Sequence, residues 1–133
     1  MAGQLQFDLV SPERRLASVG ATEVQIPGAG GDMTAMEGHA PTITTLRPGI
    51  LRAVTVEGVK SYVVTGGFAE VSATGVTVLA ELAIPTEEAS GTIMDDILAQ
   101  ARALVAAALP EDKDVAEKNL ADVLTLRDSV MTH

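Results

Sequence analysis

Few side chains in this sequence are of the types that catalyse reactions. The chain has two histidines, His39 and His133, and no cysteine, so a histidine-rich or thiolate metal site is not expected. To act as a general base, His39 would need an orienting partner, which the sequence does not identify. We therefore interpret His39 as a loop or interface residue, and we predict no metal site.

The paired carboxylates do not suit acid–base chemistry either. Glu87-Glu88 and Asp95-Asp96 are neighbours in sequence, so on a helix their side chains diverge and face solvent. Asp112-Lys113-Asp114 lacks the glycine and the terminal glutamate of a calcium loop. Nucleophile-elbow, zinc-protease and phosphate-loop motifs are absent from the sequence. These observations predict a non-catalytic protein without a cofactor, whose function lies in its surfaces.

The composition restricts the class of partner. The net charge is −9, and only 2 % of residues are aromatic although 47 % are hydrophobic. Nucleic acids and anionic lipids require a basic surface, and stacking on bases requires aromatic side chains, so we expect no nucleic-acid partner. No apolar run approaches the ~20 residues of a membrane-spanning helix, and residues 1–4 do not resemble a signal peptide. We expect an intracellular protein with no direct membrane insertion.

Short strands, separated by turn residues, account for the first 85 positions. A series of eight or more such strands, with a turn about every 8–12 residues, is typical of a β-sandwich or a barrel. Within the strand 42–46, alternate side chains face opposite ways; Gly38 and Pro41 precede it, and Pro48-Gly49 predicts a turn after it. The predicted strands are 5–10, 16–19, 22–26, 42–46, 50–56, 59–65, 68–72 and 76–82.

Glycine-rich stretches divide these strands. We predict a flexible loop over 27–31, a loop of mixed polarity over 32–37, and a strand break at Gly66-Gly67. Glu57-Gly58 predicts a tight hairpin turn, because glycine in a two-residue turn matches the strand twist. A further hairpin is predicted about residues 73–75.

Alanine-rich helical sequence follows Pro85. Pro110 suits the first turn of a second helix, and the short connection predicts an antiparallel helical hairpin. We therefore predict a β-sandwich domain over 1–85 and an α-helical hairpin domain over 86–133. The apolar stripes expected to be buried are Ile93, Ile97, Ala101, Leu104 and Ala108 in the first helix, and Ala116, Leu120, Val123, Arg127 and Val130 in the second.

Four short stretches, in this order and followed by a helix pair, resemble the epsilon subunit of bacterial F-type ATP synthase. They are 7–13 (FDLVSPE), 38–41 (GHAP) with 46–49 (LRPG), 66–71 (GGFAEV) and 76–80 (VTVLA). The resemblance covers residues 4–83 and is only architectural over 86–133. It implies a flattened ten-stranded β-sandwich followed by an antiparallel two-helix hairpin.

The resemblance also implies a function and a location. Members of this family are non-catalytic rotor subunits of the central stalk; they bind the gamma subunit and the c-subunit ring and couple proton-driven rotation to ATP synthesis. They lie peripherally on the cytoplasmic face of the bacterial inner membrane. In many of them the helices extend and inhibit ATP hydrolysis, which makes the alpha and beta subunits candidate partners.

Site residues are carried over position by position. The family's acidic ring-facing position falls on Asp32, and we predict that Asp32 and Met33 contact the c-subunit ring, although Thr34 and Glu37 replace a glycine and a proline of the family's loop. The nucleotide-binding motif of some relatives has only a degenerate match here, at Leu98, Ala99, Arg102 and Ala103, so we predict no nucleotide binding and weak or absent inhibition. The positions that face gamma match Ser11, His39, Thr44 and Thr65.

A second hypothesis belongs to a different class of protein. The chain would then be a free-standing β-sandwich that binds a small ligand. Such a module should present a concave, aromatic-lined pocket, and the scarcity of aromatic residues favours the rotor subunit instead.

Overall fold

The structure is a computed structural model that describes residues 4–131. Eight strands precede a short 3-10 turn at Thr86–Glu88, and two helices follow, α1 (Gly91–Ala107) and α2 (Lys113–Met131). The chain is thus mainly β-sandwich with a C-terminal helical hairpin, as the sequence predicts. The strands are β1 (Leu5–Val10), β2 (Arg15–Ala21), β3 (Glu23–Gly28), β4 (Gly31–Met36), β5 (Thr42–Thr45), β6 (Gly49–Thr55), β7 (Gly58–Val71) and β8 (Gly75–Pro85).

The strands form one hydrogen-bonded path in the order β2-β1-β8-β7-β6-β3-β4, with β5 paired to β7. All pairs are antiparallel except β1 with β8. The long β7–β8 hairpin lies at the centre of this path. Its first half pairs with β6, and its second half pairs with β5.

Gly66 and Gly67 lie at the middle of β7, where the structure differs from the predicted strand break. Both have positive φ (66° and 92°), but the pairing with β8 keeps the same register on either side, from Thr65↔Leu82 to Gly67↔Ala80. The glycines bend the strand without ending it. The described residues therefore contain eight strands rather than the ten that the resemblance implies, and β7 is one strand where the sequence predicted two, 59–65 and 68–72.

Two predicted loops are also wrong. The stretch 27–31 is a tight hairpin in which β3 ends at Gly28 and β4 begins at Gly31, and most of 32–37 belongs to β4. Pro48-Gly49 does not place glycine at positive φ; instead Gly49 begins β6. A Cβ atom on Gly49 would lie 2.7 Å from the Cβ of Pro27, so close packing explains this glycine.

The core of the sandwich is aliphatic and follows the two-residue alternation of the strands. Phe7 and Tyr62 supply its aromatic pair, with ring centroids 6.4 Å apart. Each large apolar side chain buried here contributes about 1.5–3 kcal/mol. The largest fully buried side chains among residues 5–78 are Leu5, Phe7, Leu9, Val24, Ile26, Leu51, Val63, Val64, Val71, Val76 and Val78.

Residues of types that favour helix starts precede both helices of the hairpin. The Ser90 hydroxyl accepts a hydrogen bond from the Ile93 amide (3.2 Å), which caps α1, and Pro110 lies in the first turn of the segment that leads into α2. The predicted stripe fails at Leu104, which is 58 % exposed. Because the buried face of α1 runs through Met94 and Leu98 as well, Leu104 falls outside it. The buried helical residues are Met94, Ile97, Leu98, Ala101, Val123, Leu126 and Val130.

The described chain divides into two compact units, of which the first ends at Thr86 and the second begins at Glu87. Neither helix of the described chain combines the length and the apolar character that crossing a bilayer requires.

Candidate functional site

Asp32 and Met33 lie at the start of β4, directly after the two-residue turn Ala29-Gly30. Asp32 is paired with Pro27 in the hairpin, and its side chain is 77 % exposed. Met33 is paired with Ile26 and packs partly against the core. Since alternate residues of a strand face opposite ways, the two side chains do not form one contiguous patch. The carboxylate is the group that this hairpin presents to solvent.

Arg47, in the connection between β5 and β6, makes several contacts with this hairpin. Its guanidinium forms an ion pair with the Asp32 carboxylate, and its Nε donates a hydrogen bond to the Gly28 carbonyl (3.1 Å). Its backbone amide also donates to the Pro27 carbonyl (3.0 Å). We call Pro27, Gly28, Asp32 and Arg47 the Arg47 cluster. Sequence reasoning included Arg47 in the stretch 46–49 but missed this contact, because Arg47 lies fifteen residues from Asp32.

Apolar side chains, three of them exposed and Val10 half-buried, line up across the outer face of the sheet. Phe68 is paired with Leu79, which is paired in turn with Val10, so the three lie side by side on adjacent strands. Ile43 lies diagonally beside Phe68 on β5. Phe68 and Leu79 are 43 % and 42 % exposed, and Ile43 is 69 % exposed. We call these four residues the apolar strip.

The apolar strip was not predicted, although the sequence holds a signal for it. Phe68 shares a strand face with Glu70, and Leu79 shares one with Thr77. Apolar side chains therefore occupy the polar positions of an alternating pattern at two neighbouring strands. An outward-facing row of this kind indicates a surface that makes contacts.

Ser11 and Thr65, two of the four positions that the resemblance assigns to gamma, lie close in sequence to two different members of the apolar strip. Ser11 directly follows Val10 and is buried, and its hydroxyl and amide both donate to the Arg14 carbonyl (3.4 and 2.9 Å). Thr65 is half-buried on β7, three positions before Phe68. Ser11 thus has a structural explanation in the turn between β1 and β2.

His39 and Thr44 lie elsewhere. His39 is half-buried in the connection before β5, and its Nδ1 lies 2.7 Å from the Ala40 carbonyl, a contact that requires the proton on Nδ1. Thr44 lies on β5 between two outward-facing residues and points the other way, and its hydroxyl donates to the Thr45 carbonyl (3.1 Å). The structure therefore does not gather the four candidates into one cluster.

An open groove of about 590 Å³ lies on the outer face of the sheet, beside the apolar strip. Strands β1, β5, β7 and β8 and the turn after β7 contribute its lining. None of its lining residues is aromatic, and the groove contains the carboxylates of Asp8 and Glu70. Such a lining lacks the aromatic surfaces expected of the free-standing ligand-binding module.

The residues of the degenerate nucleotide motif on α1 differ in exposure. Leu98 is buried, whereas Ala99, Arg102 and Ala103 are exposed. The basic side chains of α2 contact groups within the hairpin: Lys113 Nζ donates to the Val105 carbonyl (3.0 Å), Lys118 pairs with Asp122 (3.4 Å), and Arg127 pairs with Asp95 (3.0 Å). Within residues 4–131, no three His, Cys, Asp or Glu side chains are grouped so as to hold a metal ion.

This chain is similar to known proteins over the sandwich domain and also over nearly its whole length. The family described as ATP synthase, Delta/Epsilon chain, beta-sandwich domain matches residues 4–86. The ATP synthase epsilon chain of Cereibacter sphaeroides is 69 % identical over 129 residues, which cover 97 % of this chain and 98 % of that relative. The ATP synthase epsilon chain of Paracoccus denitrificans is 47 % identical over 129 residues, which cover 96 % of this chain and 87 % of its own.

Solved structures agree in architecture. A chain of the Euglena gracilis mitochondrial ATP synthase, in a structure of OSCP, F1 and c-ring, matches with a TM-score of 0.73 and 26 % identity, covering 98 % of this chain and 83 % of that one. A chain from the central stalk and c-ring of Tetrahymena thermophila mitochondrial ATP synthase matches with a TM-score of 0.62 at 13 % identity, which shows the fold alone; it covers 94 % of each chain. The family domain covers all four stretches on which the sequence resemblance rests, and the relatives match nearly the whole chain. The chain therefore belongs to the family of ATP synthase epsilon chains.

Proposed function

We propose that this chain is the non-catalytic rotor subunit that joins gamma to the c-subunit ring and couples proton-driven rotation to ATP synthesis. The observation that carries the proposal is the apolar strip on the outer face of the sandwich. A domain with its own buried core has no need of an exposed aromatic residue beside an exposed leucine on that face. Burial of these side chains against another subunit removes apolar surface from water, which favours association.

Gamma is the partner that we assign to the apolar strip. Ser11 and Thr65, carried over as gamma-facing positions, lie beside it, and Ile43 precedes the third such position, Thr44. Interfaces obtain most of their binding energy from a few aromatic and apolar anchors, and Phe68 is of that type. His39, the fourth carried-over position, lies before β5 and would lie at the rim of this interface.

The c-ring is the partner that we assign to the β3–β4 hairpin. Its exposed Asp32 carboxylate suits a polar, partly wet contact, and the half-buried Met33 next to it anchors the strand to the core. The structure of the Euglena gracilis enzyme that contains a similar chain also contains F1 and a c-ring, which supports such an assembly for this chain.

The remaining parts of the proposal concern chemistry and location. The chain acts without cofactor, metal or nucleotide, and it lies peripherally on the cytoplasmic face of the inner membrane as part of the synthase. A contact with alpha or beta would require the helices to extend. Residues 111–131 carry six acidic and three basic side chains, and this net negative charge opposes the contact, so inhibition of hydrolysis is weak or absent.

Phe68→Asp tests the gamma contact. Tagged chain is mixed with purified gamma, and the dissociation constant is measured. Phe68→Asp removes the apolar surface that binding would bury and places a carboxylate in the interface, so it should weaken binding about tenfold. Val59→Asp is the matched control, since Val59 is 59 % exposed on the other half of β7. Equal affinity of the two variants would contradict the assignment of the strip to gamma.

The free-standing ligand-binding module is the less favoured hypothesis. The relatives are named as ATP synthase epsilon chains, and the groove beside the strip has no aromatic lining. Co-purification from a membrane extract separates the two hypotheses, because a rotor subunit retains other synthase subunits whereas a free-standing module is recovered alone.

A further inference from the structure

We propose that Arg47 is a positioning residue that holds the β3–β4 hairpin, which carries Asp32, against β5, which carries Ile43 of the apolar strip. Arg47 thereby links the ring-facing and gamma-facing surfaces. This inference rests on the proposed function for the roles of the two surfaces. The hydrogen bonds that define the link do not depend on it.

The link consists of contacts between the connection after β5 and the turn of the β3–β4 hairpin. Arg47 contacts Pro27, Gly28 and Asp32 through its backbone amide, its Nε and its guanidinium edge respectively. The Ala29 amide donates to the Thr45 carbonyl (2.8 Å), one position after Thr44. Both ends of the hairpin turn are therefore attached to the same short segment of chain.

Close packing adds to these hydrogen bonds. Gly28 forms a bridge with Leu46, and a Cβ atom on Gly28 would lie 2.8 Å from the Gly31 carbonyl and 3.1 Å from the Thr44 hydroxyl. The hairpin turn thus touches β5 with no space for a side chain between them. A force applied to Asp32 is transmitted through this contact to β5, whose Ile43 belongs to the apolar strip.

Arginine suits this position better than lysine does. Its planar guanidinium carries five N–H donors in a fixed arrangement, so one side chain donates to the Gly28 carbonyl and pairs with Asp32 at the same time. A lysine ammonium is a single point charge on a flexible stem. Lysine would keep an attraction to Asp32 and lose the second fixed contact.

The first experiment measures the link in the full-length chain alone. Exchange of the Ala29 amide hydrogen reports opening of the hairpin turn, because that amide is bonded to Thr45. We expect Arg47→Ala to accelerate exchange about tenfold, Arg47→Lys and Asp32→Asn to accelerate it less, and Arg52→Ala, an exposed arginine of β6, to leave it unchanged. The proposal is overturned if Arg47→Ala changes the exchange rate of the Ala29 amide less than twofold while Tyr62 remains buried.

The second experiment measures coupling in membranes that lack the subunit and receive an Arg47 variant. We expect Arg47→Ala to reduce proton-driven ATP synthesis several-fold at equal amounts of bound chain, with Arg47→Lys intermediate and Arg52→Ala normal. If the Arg47→Ala chain exchanges its Ala29 amide hydrogen rapidly but still supports normal ATP synthesis, the proposal that Arg47 links the two surfaces is overturned.

A cysteine cross-link distinguishes failure of this inference from failure of the proposed function. Thr34→Cys keeps the Arg47 cluster and faces the same way as Asp32 on β4. In the otherwise unchanged chain it should form a disulfide with a cysteine in the polar loop of the c subunit, and Arg47→Ala should lower the yield. If no cross-link forms even with Arg47 present, the ring contact itself is wrong, whatever the exchange experiment shows. A yield unaffected by Arg47→Ala contradicts only the inference.

Discussion

Gly67 shows how a single residue determines the course of a strand. Its φ is 92°, and a Cβ atom there would lie 2.0 Å from the Leu79 carbonyl of the neighbouring strand. That position excludes every side chain, both by conformation and by space. The sequence identifies the glycine pair correctly as a special point, but it cannot show whether β8 continues alongside it.

We predict that Gly67→Ala destabilises the sandwich by at least about 2 kcal/mol, because the strand must shift away from β8 to admit the methyl group. Urea unfolding followed through the single tyrosine, Tyr62, which is buried in the sandwich, measures this. Gly30→Ala is the control, because a Cβ atom on Gly30 would meet open space. The free energy of unfolding of this variant should change by less than about 0.5 kcal/mol. Similar urea midpoints for the two variants would show that β7 tolerates a side chain at its bend.

Residue identities that depend on distant partners could not be predicted. Asp32 was found through its position in a family pattern, but its ion pair with Arg47 joins residues on different connections. Gly28 was interpreted as part of a flexible loop, whereas its lack of a side chain serves close contact with Gly31 and Thr44. Composition shows that a stretch is rich in glycine, and only the packed structure shows what each glycine approaches.

At the scale of elements, local signals predicted most strands. The hairpin that returns at Gly75 was placed correctly, and the predicted turn at Glu57-Gly58 was displaced by one residue: the turn is Val56-Glu57, and Gly58, whose φ is 117°, begins β7. Both hairpins were found because tight turns carry their own residue preferences. β4 was missed: its residues GDMTAM include glycine, aspartate and alanine, which have low strand preference. Pairing with β3 overrides that preference, and pairing is not visible in one segment.

The start of α1 allows a quantitative prediction. Gly91 weakens the first turn, and the Ser90 hydroxyl offsets this by accepting the Ile93 amide hydrogen bond. We expect Ser90→Ala to destabilise the helical unit by about 1 kcal/mol and Ser90→Asp to leave its stability nearly unchanged, since aspartate also caps helices. Thermal loss of ellipticity at 222 nm compares the three proteins. Equal melting of all three would mean that solvent satisfies this helix end as well as serine does.

At the scale of the whole molecule, the first compact unit contains the Arg47 cluster and the apolar strip. We predict that a chain ending at Pro85 folds and restores proton-driven ATP synthesis to membranes that lack the subunit, because a domain with its own core tolerates removal of the segment beyond its boundary. The full-length chain, added at the same concentration, is the control. A folded 1–85 chain that binds gamma but gives no synthesis would place part of the coupling function in the helices.

The net charge of residues 111–131 is the basis for a prediction about regulation of ATP hydrolysis. Residues 111–131 hold six acidic and three basic side chains, a net charge of −3. The three basic ones, Lys113, Lys118 and Arg127, are all engaged inside the hairpin. An inhibitory helix that docks beside acidic segments of beta would need free cations, and like charges brought together as water is excluded oppose docking.

Nucleotide binding has a similar obstacle. Between residues 86 and 110 the one basic side chain is Arg102, and Ala99 occupies the aspartate position of the motif that the resemblance implies for nucleotide-binding family members. We therefore expect no heat of binding on titration with micromolar ATP, and less than a twofold change in ATP hydrolysis when residues 86–133 are removed from the assembled enzyme. Lys113→Ala, which frees the Val105 carbonyl without adding a cation, serves as the control for loosening of the hairpin. Micromolar ATP binding, or a several-fold rise in hydrolysis without the helices, would show that contacts with gamma outweigh the repulsion and that the hairpin does inhibit.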